Sequence, residues 1–283
     1  MTETRTLSGK DLAADIRSQV AADVKALREH GVEPTLAIVF ATSDGGTRWY
    51  VSSIVKAAEK AGLRAIERQL PDDSTTADIA AELQRLANDD TVHGIILQTP
   101  LPVGVDGGAL AALIPFGKDI DGINPLSAGR LVIGESGFAP ATAAAVMELL
   151  RFHQVPLVGR HAVVVGRSAV VGKPVAQLLL REDATVTVCH SKTADLPEVT
   201  READVLVVAI GRARFITGRH VGAATTVIDV GTNTDDAGNL VGDVDAGSVV
   251  GVAAALTPVP GGVGPVTTAL LLQHVIAAAR AVG

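Results

Sequence analysis

Cysteine, aromatic side chains and positive charge are all scarce in this sequence, and each shortage narrows what the chain can be. The single cysteine, Cys189, excludes an intrachain disulfide and suits a reducing compartment. Aromatic residues make up only 2 % of the chain against 47 % hydrophobic residues, so the interior has to be built from Ala, Val, Leu and Ile. Such side chains suit tightly packed helix-on-sheet layers. Lys and Arg number 24 against 31 Asp and Glu, and a formal charge of −7 lacks the positive field that nucleic acid or an anionic membrane needs. No stretch approaches the roughly 18 apolar residues that span a bilayer. The N-terminus, Met1 to Asp15, has no apolar core of signal-peptide type. The expected setting is the cytoplasm, with no nucleic-acid or membrane partner and no metal site.

What is present is an alternation of apolar strands with amphipathic helices. Leu12, Ile16, Val20, Val24 and Leu27 recur at three- and four-residue spacing and predict a helix over Gly9 to His30. Strands are expected at Pro34 to Ala41 and Val92 to Gln98, with helices at Arg48 to Ala61 and Thr75 to Ala87. Pro, Gly and Asp break the chain between Pro100 and Gly137, and a domain boundary is expected there, near Gly122. Beyond a helix at Thr142 to Arg151, strands are expected at His161 to Val165, Thr185 to Cys189, Val205 to Ile210, Thr226 to Val230 and Ala253 to Leu256. A last helix is expected over Val266 to Ala279. The 283 residues suit two domains. The expected fold is α/β: an N-terminal domain, 1–122, completed by the C-terminal helix 266–283, and a Rossmann-like dinucleotide-binding domain, 123–265.

The sharpest local motif is Val163 to Pro174, a buried strand opening into Gly166-Arg-Ser168 and Gly172 at a helix start. Such a turn offers backbone N–H groups and a positive helix end to a pyrophosphate, although an ordinary βα turn looks similar. The next strand ends in Cys189-His-Ser-Lys192 without the carboxylate that an NAD ribose wants. Arg167 and Ser191, with Lys192, suit a 2′-phosphate instead, which favours NADP. Glycine and proline also cluster at two strand ends, Asp229 to Asn233 and Thr257 to Pro265, where open α/β sheets bind ligands. In the first half, Tyr50, Gln98 and Asp121 together supply a stacking ring, an amide and an acid. Taken singly, each has a structural explanation.

With these residues in view, the chain resembles the methylenetetrahydrofolate dehydrogenase/cyclohydrolase family, the bifunctional FolD-type enzymes. The resemblance spans the whole length, through Leu7-Ser-Gly-Lys10, Tyr50-Val51, Gln98 to Pro102, Lys118 to Gly122, Gly129-Arg-Leu131, Gly166 to Ser168, Cys189 to Ser191, Val227 to Gly231, Gly242 to Val244 and Thr257 to Pro265. It implies a folate substrate in a cleft between the domains, with Tyr50 stacking on the ring system and Asp121 accepting from the pterin's amino and N–H groups. It implies Gln98 at the one-carbon centre and Val51, Leu101, Pro258 and Gly261 lining the site. It also implies Gly166, Arg167, Ser168, Ser191 and Thr232 on NADP, and a homodimer.

The departures from the family pattern carry as much information. Ile54 stands at the family's catalytic lysine, while Lys56 matches a second lysine two residues on. Two helical residues subtend about 200°, which turns Lys56 away from the face of position 54. Asn124 and Ser127 replace a histidine and an asparagine, and Ala141, Ala143 and Ala144 replace Cys, Pro and Arg around Thr142. Oxidising the methylene bridge needs orientation and a cofactor, but hydrolysing the methenyl product needs proton transfers that isoleucine cannot make. The sequence therefore reads as a methylenetetrahydrofolate dehydrogenase with weak or absent cyclohydrolase activity. The alternatives are a fully bifunctional enzyme or a non-catalytic folate- or nucleotide-binding protein.

Overall fold

The computed structural model describes residues 3–281, which form two compact units. One comprises Met1–Ala13 and Thr142–Thr267, the other Ala14–Ala141 and Thr268–Gly283. Among the described residues no helix is long and apolar enough to cross a membrane.

The second of these units is built on three parallel strands in the order Arg64–Gln69, Thr35–Phe40, Gly94–Leu97. Parallel strands need crossovers, and the helices Gly45–Lys60 and Thr76–Ala87 provide them. The central TLAIVF strand is buried along its whole length, as a continuous apolar run between covered faces should be. Its neighbour Arg64–Gln69 is an edge strand reading RAIERQ, mostly exposed, and a sequence that polar carries no strand pattern to predict it from. The helix after the central strand starts at Gly45 rather than Arg48. The Asp44 carboxylate accepts the N–H and hydroxyl of Thr47 at 2.7 and 2.9 Å, capping the extra turn. The next helix begins at a reciprocal capping box between Thr75 and Asp78.

The stretch from Pro100 to Gly137 is more ordered than its Pro, Gly and Asp content suggests. It holds the helices Gly107–Ala111, capped by Asp106, and Pro125–Ile133, opened by Asn124 and closed by left-handed Gly134. The compact units part at Ala141, where the helix Ala141–Phe152 begins.

The other unit carries six parallel strands ordered Arg5–Thr6, Ala255–Leu256, Thr226–Asp229, Val205–Val208, His161–Val165, Thr185–Cys189. The first strand in the order is a departure from the expected domains. Arg5–Thr6 pairs with Ala255–Leu256, so the segment up to Ala13 belongs here and not with the three-stranded sheet. A two-residue strand leaves no periodicity to read. The helix after Thr257–Pro265 runs Val263–Arg280, and from Thr268 it belongs to the three-stranded unit. There Gly94 lets it close on the sheet: a Cβ at Gly94 would lie 2.9 Å from both Val275 and Ile120.

In the six-stranded sheet the chain reverses direction at His161–Val165, whose successor lies on one side and the following strand on the other. Ligands of open α/β sheets bind beyond the carboxyl ends of strands at such a switch point.

Candidate active site

The segment Lys118 to Asn124 is fixed residue by residue, with one exception. The Lys118 ammonium donates to the carbonyls of Ala87 and Asp89 at 2.9 and 2.8 Å, closing the end of the Thr76–Ala87 helix. Asp119 is fully buried and accepts the N–H groups of Ile123 and Asn124 and the Ser127 hydroxyl, at 3.0, 2.9 and 2.5 Å. The Ile120 carbonyl accepts from His274 Nδ1 at 2.7 Å, and burial keeps that imidazole below its ordinary pKa and hence neutral. Gly122 sits at φ +62°, where a Cβ would come within 2.6 to 2.7 Å of the Phe138–Pro140 backbone. Asp121 is the exception: among the described residues its carboxylate meets only the Ala141 N–H. Of the departures from the family pattern, Ser127 thus holds Asp119 by its hydroxyl, while Asn124 reaches Asp119 by its backbone and spends its side chain on the Ile114 carbonyl and the Leu126 N–H. Ala141, a third, serves through its backbone.

Burial, and then the neighbouring Asp119 charge, push the Asp121 carboxyl up to about 7. A group raised that far gains its charge only near neutral pH. If the carboxylate is the form that receives substrate, kcat/KM for the folate should rise with pH through a transition near 7 and level above it. Asp121→Asn should leave a low, flat profile; an unchanged profile in that variant would remove Asp121 from the site.

Tyr50 lies on the Gly45–Lys60 helix, half-buried, and feels the Asp121 charge. Burial, with Asp121 second, pushes its phenol up to about 12, so it offers a neutral hydroxyl and a ring rather than a base. The inward face of this helix is Thr47, Val51, Ile54 and Ala58, all buried. Ile54 has no exposed surface while Lys56 is exposed, so the helix separates the two as the angular argument requires. Gln98 follows the Gly94–Leu97 strand, its backbone N–H on the Val39 carbonyl and its amide on the Thr99 carbonyl at 2.9 Å. Leu101 is half-buried and packs on the core of the three-stranded unit. Tyr50, Val51, Gln98, Leu101 and Asp121 therefore all belong to one unit, and Pro258 and Gly261 to the other.

In the six-stranded unit, Gly166 is required by its surroundings. At φ +131° it ends the His161–Val165 strand, and a Cβ would strike the Ala209 carbonyl at 2.1 Å. Gly172 is equally constrained, 2.2 Å from the Gly166 carbonyl by the same construction. Ser168 Oγ accepts the N–H groups of Val171 and Gly172 at 3.1 and 3.3 Å, shaping the turn into the helix Gly172–Arg181. Among the described residues no hydrogen bond engages the N–H groups of Arg167, Ser168, Ala169 and Val170. Successive free N–H groups at a strand-to-helix turn fit a phosphate. Arg167, Ser191 and Thr232 are exposed at the carboxyl edge of this sheet.

The other Gly- and Pro-rich segments divide into parts that are locked and parts that are open. Buried Asp229 accepts the N–H groups of Gly231, Asp243 and Val244, and burial pushes its carboxyl up to about 6. Asp243 collects those of Ile210, Gly211 and Arg212. Both carboxylates tie loops together, which leaves Thr232 as the available side chain of its segment. The Thr257–Pro265 loop is pinned by the N-terminal segment: Gly9 donates to the Gly261 carbonyl at 2.9 Å, and a Cβ on Gly9 would lie 2.1 Å from the Gly262 carbonyl. This close approach accounts for the Gly in Leu7-Ser-Gly-Lys10.

Sequence reasoning misses the supporting roles of Lys118, Asp119 and His274. A Lys-Asp pair between apolar segments is a visible signal for the first two. His274, deep in an apolar helix, offers none.

Residues 7–121 match the family described as tetrahydrofolate dehydrogenase/cyclohydrolase, catalytic domain, and residues 140–282 match its NAD(P)-binding domain. The bifunctional protein FolD 1 of Saccharopolyspora erythraea is 60 % identical over 276 residues, covering 98 % of this chain and 94 % of the relative. The FolD enzyme of Campylobacter jejuni superposes with a TM-score of 0.96 at 38 % identity, covering 98 % of this chain and 99 % of that one. The Trypanosoma brucei methylenetetrahydrofolate dehydrogenase-cyclohydrolase, solved with NADP cofactor and inhibitor, superposes with a TM-score of 0.94 at 36 % identity and 99 % coverage of both chains.

Proposed function

The chain belongs to the tetrahydrofolate dehydrogenase/cyclohydrolase family, and from that premise we propose that it oxidises 5,10-methylenetetrahydrofolate to the 5,10-methenyl form with NADP⁺. The observation that carries the reading is Asp121, which among the described residues has no side-chain partner in an otherwise anchored turn, beside Tyr50. A carboxylate matches the paired donors of a pterin's amino and N–H edge. Tyr50 then stacks on the ring system as a neutral phenol, and Gln98 faces the one-carbon centre. Val51 and Leu101 adjoin them in the same unit, and Pro258 and Gly261 of the Thr257–Pro265 loop are the other residues we assign to the substrate.

The unengaged N–H groups after Gly166 fit a dinucleotide's pyrophosphate, with Arg167, Ser168, Ser191 and Thr232 around it. NADP⁺, when bound, accepts the hydride. The protein's own contribution is orientation, because loss of hydride leaves a cation shared by two folate nitrogens and needs no protein base. Hydrolysis of the methenyl product is the step this chain is poorly equipped for. The expected setting is the cytoplasm, in keeping with one buried, free Cys189.

Mixing the protein with methylenetetrahydrofolate and NADP⁺ should generate NADPH absorbance. Tight folate binding without turnover would instead make it a binding protein. We also infer a homodimer. The strand Thr185–Cys189 is the outer edge of the six-stranded sheet, with Val188 41 % exposed, and uncovered edges invite pairing. Light scattering on the eluting protein should give twice the chain mass, and a stable monomer would refute this.

A further inference from the structure

The Gly45–Lys60 helix carries a feature that neither the core nor the proposed chemistry uses. Trp49, the only tryptophan of the chain, is 71 % exposed. Trp49, Ser53 and Lys56 stand at i, i+4 and i+7 and so form one stripe along the helix. Ser53 is half-buried, its hydroxyl donating back to the Tyr50 carbonyl at 2.7 Å, and Lys56 is exposed. Among the described residues no ion pair engages Lys56 and no ring packs on Trp49. Tyr50 lies between this stripe and the inward face of Val51 and Ile54, with each residue advancing about 100°.

On the dehydrogenase reading, the pterin end of the substrate goes to Asp121, and a ligand lying across Tyr50 has its other end on the solvent side of the helix. That end is a p-aminobenzoyl group bearing glutamate, an arene followed by carboxylates. A protein with a formal charge of −7 repels such an anion overall, so a local cation is needed to receive it. An exposed indole beside a cation offers a flat face to an arene and a charge to the carboxylate that follows it. Resting on that reading, we propose that Trp49, Ser53 and Lys56 form the subsite for the p-aminobenzoyl-glutamate tail, with Trp49 against the arene and Lys56 against a glutamate carboxylate.

The test compares three substrates, methylenetetrahydropteroate without glutamate and the mono- and triglutamate forms of methylenetetrahydrofolate. Trp49→Ala should raise KM for the triglutamate about tenfold and Lys56→Gln about threefold, the range of an aromatic contact and of one exposed ion pair. The tail-less substrate should show no rise in KM, and Lys60→Gln on the same helix should change none of the three. Without NADP⁺, the triglutamate should quench the single tryptophan with a midpoint that Lys56→Gln shifts upward. Equal shifts for all three substrates, no shift for any, or tryptophan quenching that follows protein concentration rather than folate would overturn the proposal. The last result would give the stripe to a second copy of the chain. Absence of NADPH formation by the unmodified enzyme would refute the dehydrogenase reading alone, because the fluorescence titration needs no turnover.

Discussion

Purified enzyme supplied with methenyltetrahydrofolate should lose the methenyl absorbance at close to the rate of buffer alone, while NADPH formation from the methylene form proceeds. Ring opening after water attack needs a group that gives and takes protons near neutral pH, worth roughly 10²- to 10⁴-fold to a positioned acid or base. The family's lysine suits that role because burial lowers its pKa, and position 54 is wholly buried. Isoleucine has no proton to exchange there. Ile54→Lys should therefore raise hydrolysis by a factor within that range, whereas Ile54→Met, similar in volume and equally inert, should not. A buried lysine also destabilises the fold, so the variant's unfolding midpoint should fall and the assay belongs well below it. If the unmodified enzyme already hydrolyses well above buffer, Asp121 is the first suspect. Burial pushes its carboxyl up to about 7, and the activity should then vanish in Asp121→Asn. Lys56 is the weaker suspect, since it is exposed while position 54 is buried.

The contrast between positions 54 and 56 is legible in the sequence, because helical geometry alone turns residues two apart away from each other. The strands are legible for a similar reason. TLAIVF and HAVVV are apolar runs of strand length, and burial on both faces of a parallel sheet permits nothing else. Legibility ends where burial is missing or the partner is remote. Arg64–Gln69 is a strand because Thr35–Phe40 offers it a free edge, not because RAIERQ has any strand pattern. Arg5–Thr6 depends on Ala255–Leu256, far along the chain.

The site follows the same division. Motif residues such as Asp121 and Gly166 can be named from the sequence, but what holds them cannot. Asp121 depends on a buried carboxylate two residues away, on a helix end reached by Lys118, and on His274 from the last helix. None of these is a neighbour by periodicity. The substitutions Asn124 and Ser127 look like losses in the sequence, yet the Ser127 hydroxyl binds Asp119, and the Asn124 side chain caps the next helix at the Leu126 N–H and donates to the Ile114 carbonyl, so both sustain the turn that presents Asp121.

The cofactor preference gives the second large effect. Val165 and Cys189 are register partners on adjacent parallel strands, and the Gly166 N–H on the Cys189 carbonyl, at 2.9 Å, holds the two strand ends together. Arg167 and Ser191 each follow two residues later, which places both beyond the carboxyl ends of adjacent strands. Among the described residues no carboxylate pairs with the Arg167 guanidinium, and none stands at the end of Thr185–Cys189 to bind a ribose hydroxyl. A 2′-phosphate is the one difference between the two cofactors, so a contact made only to it should appear as a difference between them. A charge-assisted contact contributes about 1.5 to 3 kcal/mol, which is roughly 10- to 150-fold. Arg167→Ala should raise KM for NADP⁺ within that range and leave KM for NAD⁺ within about twofold. Arg167→Lys should recover only part of the loss, since a point charge cannot reproduce the planar fork. The NADP⁺ effect should also shrink with added salt, because the contact lies in solvent. An equal rise for both cofactors would place Arg167 on the pyrophosphate they share, and the preference for NADP⁺ would then need another source.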